Sequence, residues 1–131
     1  MYIHNLADKH NTHVATAVNA IKALRQLQPD DRPKKAYGCE VWRDLDWLND
    51  DEKILLDCSG HQNLARALSS VFDSQIIGGK RYDVAVEGRR LANATFGQSH
   101  SCDTYAALNY AMDLTPLIHD ETIDIAEYVT G

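Results

Sequence analysis

The sequence predicts an α/β fold in which helices pack on a small sheet of two or three strands. Three observations carry this. Apolar residues recur at helical spacing between 11 and 28, short apolar runs at 36–42 and 54–58 read as strands, and helical patterns resume after 59. With 131 residues there is chain for one domain, residues 1–131, able to bury about two-thirds of its unfolded surface. The 44% hydrophobic and 24% charged content excludes a disordered or fibrous chain.

The first helix is expected from Asn11 to Gln28, with Val14, Val18, Ile21 and Leu24 on one face, Asp8 or Asn11 as cap, and Pro29-Asp30 as the stop. Ala36–Trp42 follows as a strand, with Tyr37, Cys39 and Val41 on one side and Glu40 and Trp42 on the other. After the acidic loop 44–52, Ile54–Cys58 reads as a strand covered on both faces. Ser59-Gly60-His61-Gln62 has capping-box spacing and opens a helix burying Leu64, Leu68, Val71 and Phe72, which Gly78-Gly79 breaks. Another helix is expected from Arg81 to Phe96, carrying Tyr82, Val86 and Leu91. A further one, capped by Ser101 or Asp103, runs through Met112 and is ended by Thr115-Pro116, and Asp124–Val129 forms a last turn or two. No complete strand is expected before the first helix, so the sheet reads as a partial Rossmann-like layer, part of a larger fold.

A net charge of −6 argues against a partner such as nucleic acid, whose phosphates need a basic face. No apolar run reaches the roughly 18 residues of a membrane span. Residues 1–10 lack the pattern of a signal peptide, and Cys39, Cys58 and Cys102 form no close pair; both features fit a cytoplasmic protein with reduced thiols.

Six histidines are present, and His4, His10 and His13 crowd the first 13 residues. His10 and His13 fall on one face at the first turn of a helix, where the positive end of the dipole disfavours imidazolium and keeps the rings in the form a metal needs. Asp8 and His4, just upstream, can orient a ring or ligate directly. The same spacing also suits plain surface residues or caps, and zinc needs three or four ligands. His100 with Asp103 is the best internal complement.

Glu40-Val41-Trp42-Arg43 places a carboxylate, an indole and a guanidinium together, groups that suit a sugar; an edge strand with a packed Trp and an ion pair is the plain alternative. Ser74–Arg81 could offer N–H groups and cations to an anion, but lacks phosphate-loop spacing and reads as a turn between helices. Arg89-Arg90 reads as a solvated face paired with Glu87 or Asp83.

Taken in order, His10-x-x-His13 opening a helix, Glu40-Val41-Trp42 on the strand after it, and Asp73-Ser74-Gln75 ending a later helix resemble the C-terminal half of the PIG-L, or LmbE-like, zinc-dependent N-acetylglucosaminyl deacetylases. Phe72–Ile76, Gly78–Tyr82 and the run from Arg89 to Thr95 are similar to a bacterial subgroup associated with glucosamine-6-phosphate deaminase-like proteins. The resemblance covers nearly the whole chain. It implies zinc as cofactor in the complete protein, His13 as metal ligand, His10 as the histidine assisting at the reaction centre, and an N-acetylated amino sugar as substrate, with Glu40, Trp42 and Arg43 as candidate contacts. In the family, zinc and an aspartate base activate water against the acetamide carbonyl.

The family's His-Pro-Asp-Asp motif, which supplies two further ligands and the base, is missing. Gln28-Pro29-Asp30-Asp31 does not replace it, because Gln stands for His and the run follows the His-x-x-His helix. The chain therefore reads as the C-terminal portion of a deacetylase, starting from an internal Met and inactive alone; whether it holds zinc by itself stays open, and a metal site formed by the histidine cluster with His100 and Asp103 is a separate reading. A non-catalytic sugar-binding or protein-interaction domain is the alternative. An incomplete sheet leaves an open edge or an apolar face, so self-association is expected.

Overall fold

The computed structural model describes residues 1–129 and bears out the α/β expectation, with four helices and a four-stranded mixed sheet. The order along the chain is β1 (Tyr2–His4), α1 (Asn11–Arg25), β2 (Tyr37–Cys39), β3 (Lys53–Asp57), α2 (Gln62–Ser70), α3 (Tyr82–Phe96), β4 (Leu108–Asp113) and α4 (Thr115–His119). The strands lie in the order β1-β2-β4-β3. The chain divides into two compact units, Met1–Ile54 with the chain from Ala111 on, and Leu55–Tyr110.

In the first unit, β1 and β2 run parallel with Ile3 opposite Gly38, and α1 is the connection between them. β2 runs antiparallel to the end of β4, Gly38 facing Met112. Gly38 is required here: a Cβ would lie 2.9 Å from both the Asn5 Cα and a Leu114 methyl. Ala17 and Ile21 on α1 and Leu117 and Ile118 on α4 are fully buried, as are Leu45 and Leu114. Each such Leu or Ile contributes about 1.5–3 kcal/mol of transfer free energy. Arg25 ties the helix end down, donating to the carbonyls of Leu117, Asp120 and Ile123.

β1 corrects the expectation that no strand precedes the first helix; three residues are too few for alternation to register in sequence. α1 stops at Arg25 rather than Gln28, its last turn closing in backbone bonds to Ala23 and Leu24. β2 ends at Cys39, and the residues expected to continue it turn away.

In the second unit, α2 packs on α3, and the Asn93 amide donates to the Leu108 carbonyl at 3.1 Å. The capping box at 59–62 does not form: His61 precedes the helix, and the Ser59 hydroxyl instead accepts the Ala106 N–H at 2.9 Å. Leu64, Leu68, Val71 and Phe72, expected on a buried face, are between 56% and 71% exposed. The helix expected through Met112 is β4, since main-chain pairing with β2 overrides the helix propensity of Leu, Ala and Met. Pro116 opens α4 instead of ending a helix, as proline can at a first turn. Residues 125–129 form turns rather than a helix.

Candidate metal centre

The loop between β1 and α1 builds the site through side chains that replace backbone partners. Asn5 is fully buried, its Oδ1 accepting the Ala7 N–H at 2.7 Å. Asp8, also buried, repeats the device on the His10 N–H at 2.9 Å. These two turns deliver the chain to α1 with His10 at the cap position and no side-chain cap bond of its own. This corrects the expectation that Asp8 or Asn11 caps the helix: Asn11 is its first residue, and Asp8 bonds the N–H of His10, the residue before it.

The same Asp8 oxygen lies 2.9 Å from His13 Nδ1. An ionised carboxylate only accepts, so Nδ1 of His13 carries the proton, and the lone pair of the neutral ring sits on Nε2. His4, at the end of β1, stacks on His13 with centroids 3.9 Å apart and planes 2° from parallel. Its pKa is lowered from 6.5, first by burial and then by the neighbouring His13, against the opposing pull of Asp8.

Among the described residues, His4, Asp8 and His13 are the group of metal-binding side chains that come together, one ligand atom of each lying within 4.8 Å of the others. Two imidazoles and a carboxylate are residue types that zinc sites use; here Asp8 is already engaged by His13 Nδ1, which leaves it behind that ring and the two imidazoles as the donors. The stack sets a condition. Lone pairs of parallel rings run in separate planes and cannot meet at one ion about 2 Å from each nitrogen, so His4 must turn out of the stack to share a metal with His13. His13, with Asp8 behind it, is already oriented.

His10 is exposed, its ring centroid 5.0 Å from that of His13 in an edge-on arrangement and 5.6 Å from that of Trp42. Lys9 Nζ stands 5.7 Å over the Trp42 ring. The sequence candidates His10, His13 and Trp42 thus form one continuous surface. Glu40 and Arg43 behave differently. Glu40 is buried, its Oε1 accepting from Arg43 Nε at 2.6 Å and its Oε2 from Trp47 Nε1 at 2.9 Å and the Leu45 N–H at 3.3 Å. Arg43 also donates to the Ala7 carbonyl. Both candidates clasp the 40–48 turn, in which Asp44 and Leu45 hold positive φ of 52° and 60°. His100 and Asp103 belong to no such ligand group; Asp103 accepts from the Thr95 hydroxyl at 2.8 Å.

No family model, curated protein or solved structure matches this chain. The ion pair of Glu40 with Arg43 matches the plain alternative read from the sequence, whereas its bonds to Trp47 and Leu45 had no sequence signal, because burial of a loop carboxylate depends on how the turn closes. The part played by Asp8 did have one, its place five residues before His13. Among the described residues no helix is long and apolar enough to cross a membrane.

Proposed function

We propose that this chain carries the His-x-x-His side of a zinc-dependent hydrolase removing acetyl groups from N-acetylglucosamine-type sugars in the cytoplasm. What supports the reading, beside the resemblance in sequence, is one observation: Asp8 bonds Nδ1 of His13 at 2.9 Å and leaves Nε2 as the ligand atom. A carboxylate behind a metal-binding imidazole fixes its tautomer and raises its basicity. His13 is the ligand in this proposal, Asp8 its positioning residue, and His4 a further donor once it leaves the stack. Zinc, when bound, supplies the Lewis acidity that amide hydrolysis needs.

The remaining work falls to the chain's own residues. His10, exposed beside His13, is the proton donor to the departing amine in this proposal. Trp42 offers an apolar ring face to the sugar, with Lys9 and His10 at its rim. Glu40 and Arg43 support that face by holding the turn that carries it. The sequence has no His-Pro-Asp-Asp run, so this chain alone lacks the general base and does not turn over.

Zinc titration by calorimetry tests the reading. Wild type is expected to bind one zinc, Asp8→Asn to bind it about 10–100-fold more weakly, and His13→Ala to lose it, with no acetate released from N-acetylglucosamine conjugates by any of them. Unchanged zinc affinity in His13→Ala would sink the metal assignment, and acetate release by the wild-type chain would sink the claim of inactivity.

A further inference from the structure

The second unit holds a cavity of about 340 Å³, large enough for a small organic molecule. Three guanidiniums line it, from Arg66 on α2, Arg81 at the start of α3 and Arg90 within α3. Two of them are answered. Arg66 meets the Glu87 carboxylate at 2.6 Å, and Arg81 meets Asp83 at 2.9 Å. Arg90 is not: its Nε is shut off from solvent and has no hydrogen-bond partner among the described residues. A permanently charged guanidinium with no acceptor of its own is costly; its sealed Nε is out of a ligand's reach, so an anion in the cavity would answer Arg90 through its terminal nitrogens.

The lining narrows the ligand. Three cations against two carboxylates leave a single positive charge to be met, in a protein whose net charge is −6. That balance suits a monoanion better than a phosphate dianion. Val84, Leu91 and Ala65 add apolar wall, which a short hydrocarbon body covers and an inorganic ion does not. A carboxylate also matches the flat, forked donor geometry of a guanidinium.

We propose that the cavity between α2 and α3 binds a small monocarboxylate with a short apolar body, its carboxylate held by Arg90 and its hydrocarbon lying between Ala65, Val84 and Leu91. Arg66 and Arg81, each tied to its own acid, form the polar rim. This site is distinct from the histidine cluster and does not rest on the deacetylase reading.

The probe is sodium butanoate, followed by calorimetry and by the Nε–H resonance of Arg90 in NMR. Butanoate is expected to bind saturably and to shift that resonance, and Arg90→Gln to weaken binding at least about tenfold. Butanamide, the same shape without charge, is expected not to bind. Ala65→Leu, which fills the cavity and leaves every charge in place, is expected to abolish binding, so the proposal stays open to refutation if Arg90→Gln fails to fold. Absence of a saturable shift, equal binding of butanamide, or unchanged affinity in Ala65→Leu overturns the proposal. Inorganic phosphate displacing butanoate at equal or lower concentration overturns the carboxylate assignment.

Discussion

The two units of this chain solve the burial problem unequally. The first closes Ile21, Leu45, Leu114, Leu117 and Ile118 completely from water, whereas the second buries only Ala94, Ala107 and Leu108 among its apolar residues and leaves Leu64, Leu68, Val71, Phe72, Ile77 and Phe96 more than half exposed. Dense packing in the first unit is what lets a short loop hold His4, Asp8 and His13 in a fixed arrangement. The second unit relies on polar links such as Ser59 to Ala106 and Asn93 to Leu108, and its helices keep an apolar surface facing water. Position-holding chemistry thus resides where the core is tight, and surface suited to association resides where it is thin.

The largest expected contrast comes from truncating one apolar side chain in each unit. Ile21→Ala should lower stability by about 2–5 kcal/mol in urea unfolding, because it opens a cavity in a closed core. Leu68→Ala, at a position 58% exposed, should stay within about 0.5 kcal/mol. Equal losses would break the comparison. Polar contacts sharpen it next. Glu40→Ala leaves the indole N–H of Trp47 and the main chain of Leu45 without an acceptor and should cost about 2 kcal/mol. Glu87→Ala, which removes an exposed pair with Arg66, should leave the urea midpoint unchanged.

Much of the first unit was legible because its signals are periodic or local. The stripe through Ile21 located α1, and the crowding of histidines with Asp8 in the first 13 residues pointed to the candidate group of His4, Asp8 and His13. β1 escaped notice because three residues carry no period, and β4 because Leu108–Asp113 has the composition of a helix until β2 supplies partners for its backbone. Glu40 and Arg43 read either as sugar ligands or as an ion pair beside a packed Trp, and the ion pair is what forms. Their actual neighbours, Trp47 and Ala7, are fixed by a turn through positive φ at Leu45, which an ordinary residue does not announce. The face of Leu64, Leu68, Val71 and Phe72 read as buried because amphipathic spacing gives the apolar side of a helix and says nothing of what lies against it.

That exposed face makes self-association the next expectation. Sedimentation velocity across a concentration series should show the wild-type chain associating, and Leu68→Glu with Phe72→Ser should move it towards monomer with its helix content retained. A wild-type chain that stays monomeric at high concentration would mean that the surface, though apolar, lacks a matching partner in its own copy. Substituting Val14 on α1 in the first unit serves as the contrast, since it is partly covered and should leave the association unchanged.

The smallest effect is a pH dependence of the stacked histidines. His4 titrates below 6.5 in the folded chain, mainly through burial and then through His13. In the unfolded chain the ring keeps its ordinary value, so as pH falls through about 6.5 the unfolded state takes up a proton before the folded state does. Stability therefore declines on the acid side and stops declining once the folded ring is itself protonated. His4→Asn removes that titration while keeping a polar side chain at the end of β1. Comparing urea midpoints at pH 7.5 and 5.5, the wild type should lose more than the variant does. Equal loss in both would place the acid sensitivity elsewhere and leave the stack a contact of shape rather than of charge.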